Sequence, residues 1–91
     1  MEKYHQIRLQ MSADVERLLQ TRRILQEEVQ GTIDHAERTG EKFVDLSAGR
    51  SLASWRQGRV TYWVEYSRAG DAYLIHTAYS HRMEMKRGTG S

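Results

Sequence analysis

The sequence predicts an α+β fold: an N-terminal helix, or two helices, packed on a three- to four-stranded antiparallel sheet in meander order. Three observations carry this. Apolar residues between 12 and 39 recur with the period of a helix, at Val15, Leu18, Leu19, Leu25, Val29, Ile33 and Ala36. After Gly40 the period changes to two. Glycines then punctuate the strand-like runs where tight turns need them.

The elements follow in order. Ser12 is a suitable N-cap, and Asp14 and Glu16 sit where the helix dipole favours acids. Gly40, two residues after Arg38, is a suitable C′ residue. Gly31 costs about 1 kcal/mol against Ala inside a helix, so it marks a candidate break. One helix over 12–39, or two over roughly 12–25 and 26–39, satisfies the same stripe. Arg22 falls on that stripe, with its aliphatic stem expected along the core edge. Residues 3–11 fit either a short strand (Ile7, Leu9, Met11) or an earlier helix start (Tyr4, Ile7, Met11, running on to Val15), and the lack of a turn signal favours helix. Phe43–Leu46 reads as a short strand and Ser47-Ala48-Gly49 as a turn. Ser51–Arg56 and Arg59–Tyr66 flank a Gln57-Gly58 hairpin turn, which sets Trp55 opposite Val60 and Ala53 opposite Tyr62. Arg59–Ser67 and Ala72–Ser80 flank a loop at 68–71. Val60, Tyr62, Val64 and Tyr66 point one way, Thr61, Trp63 and Glu65 the other. The loop register stays open, and a slip of one residue exchanges the faces of the last strand. Residues 1–86 read as a single domain and 87–91, Gly-rich, as a flexible tail.

Composition bounds the chemistry. The chain has 91 residues and neither cysteine nor proline. That is one domain, small enough to bury only about 60–65% of the surface its unfolded chain exposes. Without cysteine, disulfides, iron–sulfur clusters and thiolate zinc sites are excluded. The 14 Lys and Arg face 12 Asp and Glu. Residues 1–40 hold six basic and seven acidic side chains, and 41–91 hold eight and five. The excess in the second half allows an anionic partner without the dense patch of a typical nucleic-acid binder. No apolar run reaches the roughly 18–20 residues of a membrane span, and no signal peptide is visible, so a cytoplasmic protein without membrane contact is expected.

The candidate sites follow from the sheet. A small domain has one helical layer, so one sheet face is left uncovered and rich in aromatics, a surface for a partner. Trp55, Tyr62, Trp63 and Tyr66 are its candidate anchors, for a protein partner or for a second copy that supplies missing core. Tyr79, His81 and Arg82 close the last strand with residue types able to hold a phosphate and move a proton. Glu65 lies mid-strand among aromatics, either as a shielded acid–base group or paired with a cross-strand Arg or His. His5, His35, His76 and His81 show no metal-ligand spacing, and no nucleophile motif or phosphate loop is present. Neither a cofactor nor catalytic residues are expected.

Two resemblances add to this. Ile24-Leu25-Gln26-Glu27-Glu28-Val29, Ala36-Glu37-Arg38-Thr39-Gly40, Val60-Thr61-Tyr62-Trp63-Val64-Glu65-Tyr66 and Ala78-Tyr79-Ser80-His81-Arg82-Met83 resemble a small bacterial domain associated with flavin and iron–sulfur oxidoreductases of anaerobes. The resemblance spans most of residues 20–83 and implies a non-catalytic accessory or regulatory module whose cofactors sit on another polypeptide or domain. The hairpin Val60–Arg82 after N-terminal helices is also similar to toxins of the RelE/ParE class. That likeness implies that Tyr79, His81 and Arg82 bind and cleave mRNA, or contact another target.

Overall fold

A computed structural model describes residues 7–82. The expected tail at 87–91 and the start of the ambiguous N-terminal segment lie outside these residues. The element order is β1 (Leu9–Gln10), α1 (Ala13–Thr21), α2 (Gln26–Thr39), β2 (Lys42–Asp45), β3 (Arg50–Gln57), β4 (Val60–Ala69) and β5 (Ala72–Arg82). The α+β class is as expected, with two helices. The sheet differs from expectation. Among the described residues it has five strands in the order β1-β5-β4-β3-β2, and β1 runs parallel to β5. Leu9 and Gln10 are therefore strand rather than helix. The Tyr73 N–H donates to the Arg8 carbonyl at 2.8 Å, and Leu9 pairs with Tyr73. Helical period at three positions is outweighed by an unpaired edge of β5, whose backbone groups need partners.

The two caps read from sequence are present. Ser12 Oγ accepts from the Val15 N–H at 3.2 Å. Gly40 takes φ +78° and its N–H donates to the Ala36 carbonyl at 2.7 Å. The helical region breaks at 22–25, in keeping with the two-helix reading whose second helix covers 26–39, and not at Gly31. There Arg23 occupies the left-handed region at φ +59° while Ile24 N–H donates to the Leu19 carbonyl at 2.9 Å. A non-glycine residue in that conformation costs on the order of 1 kcal/mol. Arg23→Gly is accordingly expected to raise stability by about 0.5–1 kcal/mol, less than the full strain because glycine gains unfolded-state entropy. Urea denaturation checks it, and an unchanged or lower midpoint contradicts it.

Gly31 sits inside α2 for a packing reason. A Cβ there would collide with the six-membered ring of Trp55, lying 2.7 Å from its Cη2. The glycine is what lets α2 approach β3. The helices cover one sheet face only: α1 lies on β5, and α2 on β3 and β4. Leu19, Ile24, Val29, Ile33 and Ala36 meet Ala53, Val64, Tyr66, Ile75 and Ala78 in the core. Each fully buried aliphatic side chain contributes roughly 1.5–3 kcal/mol. Arg22 follows the expected path to the core edge and ends on protein rather than water, its Nη1 donating to the Ala78 carbonyl at 2.8 Å.

Two details of register set the faces. The β3–β4 turn is Gly58-Arg59, with Gly58 at φ +64°, so Gln57 pairs with Val60, Trp55 with Tyr62 and Ala53 with Val64. This corrects the expected Gln57-Gly58 turn by one position. Glycine takes the first central position, where positive φ is needed. The β4–β5 loop is also tighter than expected, with Ala69 paired to Ala72 around Gly70-Asp71. In β5 the register shifts: Glu65 pairs with Thr77 but Tyr66 with Ile75, leaving His76 as the extra residue of a bulge. The bulge turns Ile75 and Ala78 toward the helices and Thr77, Tyr79 and His81 away from them.

Candidate surface on the uncovered sheet face

Paired residues share a face, so the ladder orders the side chains opposite the helices into rows. One row is Arg56–Thr61–His81, the next Ser54–Trp63–Tyr79, and the next Phe43–Leu52–Glu65–Thr77. Trp63 and Tyr79 stack with their planes 13° apart and ring centroids at 6.1 Å. Tyr79 remains 40% exposed and Phe43 71%. Leu52 stands between Phe43 and the aromatic pair, and Leu74 adds an exposed apolar group further along β5. Among the described residues neither helix covers this face. Shallow hollows of about 350 and 260 Å3 lie on either side of Phe43 and Leu52.

The candidate anchors divide between the two faces. Trp63, Tyr79 and His81 are on the uncovered side. Trp55, Tyr62 and Tyr66 are not, and their assignment to the uncovered face is corrected. Trp55 lies against Gly31 and stacks on His35 at 6.4 Å. The Tyr62 hydroxyl donates to Glu28 Oε2 at 2.8 Å. Tyr66 is 2% exposed, meets Tyr73 edge-on at 5.5 Å, and donates to Glu37 Oε2 at 2.6 Å. Each of these hydroxyls reaches a carboxylate on α2, so these side chains tie the layers together. Burial, then the adjoining Glu28, raises the Tyr62 pKa; burial and Glu37 raise that of Tyr66. Arg82 pairs with Val60 and so belongs to the helix side, opposite Tyr79 and His81. The three residues that closed the last strand in sequence do not converge on one point. The sequence reading does not single out Phe43 or Leu52. Their pairing was the missing signal, because a four-residue strand carries too little periodicity to show its neighbour.

Glu65 takes the structural option left open above. Arg50 Nη1, one diagonal away, lies 3.3 Å from its Oε2. His76 Nε2 lies 2.9 Å from Ser67 Oγ, and His35 Nε2 3.3 Å from Glu41 Oε1. Among the described residues no three His, Asp or Glu side chains gather as metal ligands, and no helix is long and apolar enough to cross a membrane.

Glu37 Oε2 accepts from both Lys42 Nζ and the Tyr66 hydroxyl, each at 2.6 Å. Partial burial pushes its pKa up. Hydrogen bonds from Lys42 and Tyr66, with the charges of Lys42 and Arg68, outweigh that and hold it below the usual carboxylate value. A depressed folded-state pKa stabilises the fold above the unfolded value near 4.5, and this contribution is lost as pH falls through the folded value. Unfolding followed from pH 6 down to about pH 3 is expected to show a loss that Glu37→Gln reduces. An identical pH dependence in the variant contradicts the assignment.

Compared with known proteins, the chain matches no protein-family model, no curated protein and no solved structure.

Proposed function

We propose that this chain is a non-catalytic interaction module that docks through its uncovered sheet face. The observation that carries the reading is the Trp63–Tyr79 stack standing with Leu52 and Phe43 on a face that no helix covers among the described residues. Aromatic side chains held rigidly by a sheet lose little entropy on binding and serve as interface anchors. Arg56, Arg50, Glu65 and His81 border them, giving the apolar centre and polar rim of a docking surface. A place in the bacterial cytoplasm, as an accessory to an oxidoreductase complex, is what the first resemblance adds. With no cysteine, the chain brings no thiolate to such a complex and acts by contact.

The test is affinity capture of the tagged chain from its native host. Trp63→Lys and Tyr79→Lys are each expected to reduce partner recovery at least ~10-fold with the far-UV circular dichroism spectrum preserved. Recovery unchanged by both substitutions contradicts the reading. A second reading, a toxin acting on RNA, is favoured by one observation: the Arg56–Thr61–His81 row adjoins the aromatic row. It requires growth arrest on expression, relieved by His81→Ala.

A further inference from the structure

We infer that the occupant of the uncovered face is a second copy of this chain, packed sheet on sheet about a two-fold axis that runs across the strands. The inference rests on the docking reading above and names the partner. Three observations bear on it.

The first is area. Five strands spaced about 4.8 Å apart, over about seven residues rising 3.3 Å each, make a face of about 550 Å2 before side-chain relief is counted. Two such faces in full contact bury about 1,100 Å2, above the roughly 1,000 Å2 a biological interface should clear and below the roughly 1,200 Å2 where the standard size begins. A second copy therefore offers a surface of sufficient size without any further element. An interface of this size suits a dimer that dissociates in the micromolar range rather than an obligate one.

The second is charge. The hairpin end of the face carries Arg56 and His81, with Arg59 in the adjoining turn. Glu65 lies one row beyond Trp63, and at the far end Asp45 pairs with Arg50, whose Nη1 lies 3.3 Å from Glu65 Oε2. The Asp45 carboxylate accepts from Ser47 Oγ at 2.8 Å and from the Ala48 N–H at 3.3 Å. A two-fold axis across the strands, through the Trp63–Tyr79 row, lays each copy's Arg56–Thr61–His81 row over the other's Leu52–Glu65–Thr77 row. An axis along the strands would instead set the two basic ends on each other. Charge thus selects one of the two face-to-face arrangements.

The third is position. β4 is the central strand of the five, so Trp63 sits near the middle of the face, where interface energy concentrates. A two-fold contact is self-complementary, and brings the Trp63–Tyr79 row of each copy onto the same central strip. Sheets packed this way lie about 10 Å apart, a spacing that interdigitated Trp, Tyr and Leu side chains fill.

Sedimentation equilibrium on the full chain, from about 5 to about 500 µM, tests this. The mass is expected to rise with concentration from 10.6 kDa toward twice that value. Tyr79→Lys is expected to weaken association at least ~10-fold, and Leu25→Lys, exposed on the helix side, to leave it unchanged. A mass fixed at 10.6 kDa at the highest concentration overturns the proposal, as does a dimer indifferent to Tyr79→Lys. A monomer that binds a single-stranded RNA dodecamer overturns it in favour of nucleic acid. If the chain is monomeric but partner capture still depends on Trp63, the docking face stands and only the second copy falls.

Discussion

Gly31→Leu is expected to cost the domain about 3 kcal/mol, although leucine is a far better helix former than glycine. The gain in helix propensity is about 1 kcal/mol and is local to α2. The loss comes from across the layer. Any β-carbon at 31 enters the space of the Trp55 ring, which rests between α2 and β3 and stacks on His35. The ring can yield only by moving away from that stack or by lifting the helix off the sheet. Lifting it separates Val29, Ile33 and Ala36, all fully buried, from Ala53 and Val64. Gly31→Ala brings the same collision with fewer atoms and is expected to cost about 1 kcal/mol net. The mechanism has a sign test. In a Trp55→Ala background the obstruction is gone, and Gly31→Ala should become stabilising by about 0.5–1 kcal/mol. Urea denaturation of the four proteins of this cycle measures it. The same loss in both backgrounds would show that the glycine serves something other than Trp55.

Tyr66→Ala should remove about 3–5 kcal/mol, whereas Trp63→Ala should remove no more than about 1–1.5. The two residues are three apart on one strand and both aromatic, yet they face opposite layers. Tyr66 is enclosed by the helices, packs on Tyr73, and anchors Glu37 through a 2.6 Å hydrogen bond. Its truncation opens a cavity and leaves Glu37 with Lys42 as its remaining close partner. Trp63 has Tyr79 beside it and no layer above it among the described residues. In a domain of this size about 1 kcal/mol moves the melting temperature by roughly 4–8 °C. Thermal unfolding followed by circular dichroism should therefore separate the two variants by more than about 10 °C. Similar losses from both would mean that the uncovered face is packed against something within the chain.

These two residues also show what the sequence could and could not convey. Alternation alone put Tyr62, Val64 and Tyr66 opposite Thr61, Trp63 and Glu65, and the structure keeps that division. Which set faced the helices depended on packing between segments distant in sequence, so three of the aromatic candidates fell on the covered side. Ser12 and Gly40 were legible because caps are local chemistry. The break at 22–25 was legible as one of two readings, a second helix over 26–39, but its cause was not, because Arg23 takes a backbone conformation that composition assigns to glycine. Gly31 looked like a helix breaker, since the reason for it lies on β3. The bulge at His76 was invisible to a search for period two, and it alone decides that Tyr79 and not Ala78 meets Trp63. The segment of β1 read as strand or helix, and the choice fell on helix because two paired residues fix no period; its pairing is set by the edge of β5.

The claim on which the account turns is that the Trp63–Tyr79 face, and no other, meets a partner. Site-specific photo-crosslinking in the native host reaches it most directly. A photoreactive phenylalanine analogue at Tyr79 or Phe43 is expected to yield a discrete adduct, with a second copy or with another macromolecule. The same group at Leu25, exposed on the helix side, is expected to yield none. An adduct from position 25 with none from 79 or 43 would contradict the account.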